Sequence, residues 1–320
     1  MKCKVFVTST IYPDTLSLLD SSFFEVHMRQ DNEPDLTEED LIRIAEKYDA
    51  LVCNISNEIT SKVITAAIKL KFISNIAVGH DNIDLEAARK KNIIVATTPG
   101  TLHRSVAEHA IGLLIMASRK VSTHQQKQRT GNYPKWAPTF NNGLEISNKE
   151  IGIIGLGQIG KEIGRILHFG FNAKIFYLKN KSVAKADYPV TPLDMNQFFS
   201  QMKLIIIACP LNKKTKYLIE ERELNLMQDD SVLINIARGK IINQEALLKY
   251  KYKFRGIGLD VTDPDPLPYG HPLLNDPIFF ITPHIGSATD ESRRAMVQMA
   301  LRNVYNYMHL EDSNDVNIIN

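Results

Sequence analysis

The stretch IGIIGLGQIGKEIGRILHFG, residues 151–170, leaves this chain few choices. Its β-branched start reads as a buried strand, glycines follow at positions 155, 157 and 160, and Ile159, Ile163, Ile166 and Leu167 then recur at helical spacing. Each glycine has its own work. Gly155 permits a tight turn, Gly157 lets a backbone come close to a pyrophosphate, and Gly160 lets the helix pack on the strand. The helix opens at Gln158 and Ile159, where N–H groups without intrahelical partners and a partial positive charge favour an anion. A G-x-G-x-x-G between strand and helix therefore predicts a dinucleotide site at Gly155, Gly157, Gln158, Ile159 and Gly160.

The second strand of such a unit normally ends, about 20 residues on, in an acid that holds the adenosine ribose 2′-hydroxyl. Here it ends IFYLKNK, with Leu178 near the expected place and Lys179, Asn180 and Lys181 after it. Lysines past a strand are commonly a solvated edge, but joined to the missing acid they point to a 2′-phosphate. NADP(H) is thus expected to be preferred, with NAD(H) possible.

Short β-rich runs alternate with helix-like segments from end to end, the pattern of parallel βαβ units. The fold class expected is α/β, with two doubly wound parallel sheets. KVFVTS, FEVHM, ALVCN, FISNIAV and IIVATT are the early strands. TEEDLIRIAEKY, opened by a Thr37/Asp40 capping pattern, SKVITAAIKL and DLEAARKKN are the helices between them. TTPGT, with Pro99 and Gly100, breaks the pattern, and a second alternating series begins at Ile151. Between them, SVAEHAIGLLIMASRKVSTHQQKQR reads as one long helix whose first half is apolar on nearly every side. Such a helix must be covered all round, by a second subunit or by burial between domains. The sequence leaves both open. DESRRAMVQMALRNVYNYM closes the chain as an amphipathic helix.

The net charge of +2 gives no electrostatic reason to expect a nucleic acid or a membrane surface as partner. Cys3, Cys53 and Cys209 are too widely spaced for a disulfide framework or a zinc site, so no metal is expected and a reducing compartment fits. Apolar runs such as LIIIAC are far short of a membrane span, and MKCKVFVTST runs straight into a strand, so the expectation is a soluble cytoplasmic protein.

Three later strands finish in polar groups. SVLINIARGK delivers Arg238, GIGLDVTDPDPLP delivers Asp260, Asp263 and Asp265, and FFITPHIG delivers His284. Ligands of doubly wound sheets bind outside the carboxyl ends of the strands, so these groups should converge near the glycine turn. A 2-keto acid offers chemistry for all of them. An arginine grips its carboxylate with two parallel N–H bonds, and a protonated imidazole neutralises the charge that develops on the ketone oxygen when hydride reaches carbon. A carboxylate beside the histidine orients it, and Asp265 is the choice for that role. Turn chemistry in a proline-rich loop is the competing account of the aspartates, and a structural ion pair that of Arg238.

With these residues in place, the chain resembles the D-isomer-specific 2-hydroxyacid dehydrogenases over nearly its whole length. VGHDNIDLEAARKKNIIVATTPG, VAEHAIGLL, GIIGLGQIG, CPLNKKT, NIARGKIINQEAL, GLDVTDPDPLP and PHIGSAT carry the resemblance. YLKNK and the PKW loop bring it nearest to glyoxylate and hydroxypyruvate reductases. The resemblance implies a Rossmann cofactor domain, residues 100–285, inserted into a flavodoxin-like substrate domain formed by 1–99 and 286–320. It implies Arg238, Asp265 and His284 as the catalytic set, and backbone N–H groups at Val78 and Gly79 on the substrate carboxylate. It also implies Val106, Pro210, Thr215, Ile236, Asp260 and Gly286 around the cofactor, with Asp260 near the carboxamide. The helix near 106–125 would be a dimer arm, favouring a homodimer, with Trp136 on a loop that reaches the neighbouring subunit or anchors the dimer. Relatives usually carry glutamate at the Asp265 position, so the shorter acid implies a looser hold on His284 or a compensating backbone. His80 and His103 also depart from the usual residues.

The function expected is therefore reduction of glyoxylate, hydroxypyruvate or a similar 2-keto acid with NADPH. An NAD-dependent D-lactate or D-3-phosphoglycerate dehydrogenase, and a non-catalytic NAD(P)-sensing module like the corepressors built on this fold, are the alternatives.

Overall fold

In the computed structural model, residues 2–133, 135–140, 142–179, 185–310 and 315–320 are described. The chain divides into two compact units, Met1–Leu102 with Thr289–Asn320, and His103–Ala288.

The first unit holds β1 (Cys3–Val7), β2 (Phe24–Met28), β3 (Ala50–Cys53), β4 (Phe72–Asn75) and β5 (Ile94–Ala96) in the order β2-β1-β3-β4-β5. All neighbours are parallel, and every residue of β3 and β4 is buried, as a sheet covered on both faces requires. The helix Glu38–Lys47 starts in a complete capping box between Thr37 and Asp40, a device worth about 1 kcal/mol. The closing helix, Asp290–Met308, belongs to this unit and packs against β4, β3 and the short helix Pro13–Leu18. Ser74 donates to the Ala300 carbonyl (2.9 Å) and the buried Asn303 donates to the Thr97 carbonyl (3.0 Å).

The second unit holds β6 (Glu150–Ile154), β7 (Lys174–Leu178), β8 (Val190–Leu193), β9 (Leu204–Ile207), β10 (Ser231–Asn235), β11 (Phe254–Leu259) and β12 (Phe279–Ile281). Their order is β12-β11-β10-β9-β6-β7-β8, all parallel, so the winding reverses between β6 and β9. That reversal is where a dinucleotide crevice opens in this architecture.

The helix expected to run unbroken past residue 118 is two helices, His103–Ser118 and Val121–Arg129. Lys120 takes a left-handed φ of 54° between them, where the apolar pattern gives way to Arg119 and Lys120. Cover for the apolar first helix comes from β10, β11 and the helix Gln158–Phe171 of its own unit. Gly256 of β11 lies so close that a Cβ there would meet the Ala117 carbonyl oxygen at 2.4 Å. The helix's all-round apolar character is thus largely answered within one chain. Among its large apolar residues Ile115 alone is well exposed. No helix among the described residues is long and apolar enough to cross a membrane.

Candidate active site

The glycine turn joins β6 to the helix Gln158–Phe171. Gly155 has φ +97°, and a Cβ on it would stand 2.6 Å from the Cys209 backbone, which passes beside the turn. A Cβ on Gly160 would strike the Gly155 carbonyl oxygen at 2.0 Å, so only glycine lets the helix start this close to the strand. Gly157, by contrast, faces open space, with nothing within 4 Å of where its Cβ would be. As N-cap it brings no side chain to the first N–H groups of the helix. The result is a backbone cradle, open at Gly157 and lined with unsatisfied donors, which fits a pyrophosphate.

Arg238, Asp260 and His284 leave the carboxyl ends of three adjacent strands. Asn235 at the end of β10 pairs with Leu259 of β11, and Leu259 with Ile281 of β12. Buried Asn235 shapes the turn that presents Arg238: its side chain accepts from Ala237 N–H (3.0 Å) and donates to the Arg238 carbonyl (2.9 Å). Gly239 then lies flat on the Thr262–Asp263 backbone, where a Cβ would meet Thr262 at 2.0 Å. Gln244 holds both the N–H and the carbonyl of Asp263. These contacts tie the arginine turn to the loop that carries Asp265.

Asp265 Oδ2 lies 2.7 Å from His284 Nδ1. The acid reaches the ring without the extra methylene of a glutamate, so the looser hold named as one outcome of that substitution is absent. With Nδ1–H given to the carboxylate, Nε2 is the nitrogen left for chemistry. His284 has φ 53°, a left-handed conformation that costs of order 1 kcal/mol in a residue other than glycine.

What holds that turn is Asp260, 2% exposed. Its carbonyl accepts from His284 N–H (2.9 Å). Its carboxylate accepts from Ile285 N–H (2.8 Å), Gly286 N–H (2.8 Å), the Thr282 hydroxyl (2.7 Å) and His109 Nε2 (3.1 Å). Burial pushes this carboxyl's pKa up, but donors from His109, Thr282, Ile285 and Gly286 outweigh it and the net direction is down. A Cβ on Gly286 would press on Asp260 Oδ2 at 2.9 Å and touch Val106 at 3.6 Å, so Val106, Asp260 and Gly286 do gather in one place. His109 and Thr282 complete this cluster and escaped the sequence reading. The available signal was a histidine inside the otherwise apolar VAEHAIGLL.

The remaining expected residues are more scattered. Ile236 is buried beside the Arg238 turn, and Thr215 donates to the Pro210 carbonyl (2.6 Å), closing a compact loop after β9. Leu178 ends β7 and exposed Lys179 follows; Asn180 and Lys181 lie outside the described residues. Val78 and Gly79 belong to the first unit, on a loop after β4 where Asn75 donates to the Gly79 carbonyl (2.9 Å). Trp136 is 85% exposed. No group of side chains suited to a metal ion occurs among the described residues.

Residues 111–286 match the family described as "D-isomer specific 2-hydroxyacid dehydrogenase, NAD binding domain". Glyoxylate reductase from Pyrococcus furiosus is 36% identical over 312 residues, 95% of this chain and 92% of the relative. This chain belongs to the D-isomer specific 2-hydroxyacid dehydrogenase family. The TT0316 protein of Thermus thermophilus superposes on the dehydrogenase with a TM-score of 0.89 at 30% identity, covering 99% of this chain and all of the other. An acyclic imino acid reductase (Bsp5), solved in complex with NADPH and D-Arg, gives 0.86 at 25% identity, with 99% and 100% covered. The dehydrogenase is thus an oxidoreductase with a nicotinamide-binding unit, close to the glyoxylate reductases.

Proposed function

We propose that the enzyme reduces small 2-keto acids, glyoxylate and hydroxypyruvate first, to 2-hydroxy acids with NADPH. The observation that carries this reading is the Asp265–His284 pair, set at the end of β12 on the strand edge that also presents Arg238. The open glycine cradle fits a dinucleotide, and Gly155, Gly157, Gln158, Ile159 and Gly160 would hold its pyrophosphate. Val106, Pro210, Thr215, Ile236, Asp260 and Gly286 would border the rest. A bound reduced nicotinamide would supply the hydride.

The chain's own residues do the remaining work. Arg238 clamps the substrate carboxylate with two N–H bonds and so fixes which face of the ketone is presented. Val78 and Gly79 add backbone N–H groups to that carboxylate. His284 gives its Nε2 proton to the carbonyl oxygen as negative charge grows there. Asp265 keeps the ring oriented, with Nδ1 on the carboxylate and Nε2 toward the carbonyl oxygen.

NADPH over NADH rests on Leu178 standing where an acid would hold a ribose 2′-hydroxyl, with Lys179 next to it. Lys181, two residues further along the sequence, is the second cation in this reading. Three free thiols suit a reducing, cytoplasmic setting, and the dimer arm implied for residues 106–125 makes a homodimer the expected assembly. The test is kcat/KM for glyoxylate, hydroxypyruvate, pyruvate and phosphohydroxypyruvate with each reduced cofactor. Glyoxylate and hydroxypyruvate with NADPH should lead. Turnover of none of the acids, or a clear lead for NADH, defeats the corresponding half of the proposal.

A further inference from the structure

The chain's net charge of +2 hides a local concentration of cations in the first unit. Lys2, Lys4, Lys69, Lys71 and Lys91 line one cavity of about 630 Å³ together with a single carboxylate, Asp49. The fold brings them there from four neighbouring strand starts. Lys2 and Lys4 open β1, Asp49 precedes β3, Lys71 precedes β4, and Lys91 stands shortly before β5. This is the amino-terminal edge of the sheet. The Val78–Gly79 loop follows β4 at the opposite, carboxyl-terminal edge, so the cavity is separate from it.

Little within the protein neutralises these charges. Asp49 already accepts from Lys4 N–H (2.9 Å), Lys4 Nζ leans toward Glu25 (3.7 Å), and Lys91 Nζ donates to the Ala67 carbonyl (3.3 Å). Lys2, Lys69 and Lys71 form no ion pair among the described residues. A cavity of this size is roughly one screening length across at 0.1 M salt, so its lysines act on a guest together. Lysine suits such a role as a mobile point charge for phosphate. One wall is apolar: exposed Ile68, buried Leu70, and half-buried Tyr307, whose ring is stacked on Phe72 (4.7 Å). A guest with a phosphate chain and a flat organic part would meet both surfaces.

We infer that the amino-terminal edge of the first unit is a second ligand site, distinct from the cofactor cradle, that takes a multiply charged phosphate compound. Tripolyphosphate and ATP are suitable probes, the first supplying charge alone and the second adding an organic part for the Ile68–Tyr307 wall. Calorimetric titration of the full chain, with and without saturating NADP⁺, should show one saturable tripolyphosphate site that NADP⁺ does not remove. ATP should bind there at least as tightly. Lys69→Gln/Lys71→Gln should weaken both by about tenfold or more, equivalent to roughly 1.4 kcal/mol, while Lys249→Gln, far along the chain in the other unit, should not. Circular dichroism melts of the double variant establish that it folds. Absence of a saturable site, its loss when NADP⁺ is present, or indifference to the double variant would each overturn the inference. None of those results bears on 2-keto acid reduction.

Discussion

Two histidine–aspartate pairs stand at the ends of β11 and β12, and they have opposite characters. His109 and Asp260 are mostly buried, 3.1 Å apart, and Asp260 serves four donors at once. His284 and Asp265 are 2.7 Å apart and about a quarter to a third exposed, and Asp265 serves the imidazole. The first pair uses its carboxylate to complete a backbone turn. The second holds a partly exposed imidazole by Nδ1 and leaves Nε2 outside the pair. The difference teaches that pairing does not by itself mark chemistry: a buried carboxylate committed to four donors holds a turn together, whereas one that serves a partly exposed imidazole can orient it for a reaction.

Removing the partly exposed ring should have the largest effect. His284→Ala should lower kcat by roughly 10²- to 10⁴-fold, the usual size of a general-acid contribution, with the Kd for NADPH unchanged by fluorescence titration. Asp265→Asn should give a smaller loss of kcat, and Asp265→Glu should restore most of it. Near-normal turnover of His284→Ala would erase the contrast between the pairs.

The next effect falls on stability and should sort the two acids the other way. Asp260→Ala strands several buried donors and should cost about 3–5 kcal/mol in urea unfolding. Asp265→Ala removes one partly exposed ion pair and should cost at most about 1 kcal/mol. Equal losses would mean that both carboxylates hold the fold.

Much of this was legible in the sequence, for identifiable reasons. The glycine turn declares itself because each glycine answers a local steric demand that spacing reveals. Strand identity and the Thr37 capping box are local too. Arg238 and His284 stood out because a polar group at the end of an apolar strand is conspicuous. The roles of Asp260 and His109 were not legible as a cluster: their residues lie 151 positions apart and meet only when the helix His103–Ser118 crosses the sheet. For the same reason the sequence left the cover of the apolar helix open between a second subunit and its own chain, since nothing in its residues shows that β10 and β11 lie against it. Its break at Lys120 hinges on a single left-handed residue with no glycine to announce it.

His109 offers a finer cut through the buried pair. His109→Phe keeps the bulk of the ring but withdraws one donor from Asp260, leaving Thr282, Ile285 and Gly286 in place. A stability loss of about 1–2 kcal/mol is expected, with kcat changed less than by His284→Ala and KM for the keto acid unchanged. A kcat loss as deep as that of His284→Ala would assign His109 to the chemistry.

The smallest effect is a dependence on pH, and its sign follows from Asp260. Burial works upward on its carboxyl, but the donors around it outweigh burial and hold the folded-state pKa below the ordinary carboxylate range. A group depressed in this way stabilises the fold at pH values above the unfolded pKa, about 3.9, and the contribution is lost as pH falls through the folded value. Urea midpoints of the wild type should therefore fall on acidification below about pH 5, and those of Asp260→Asn should fall less steeply, from a lower starting point. Parallel acid slopes in the two proteins would mean that Asp260 is not held as a carboxylate, and the buried pair would then need a shared proton to account for its four donors.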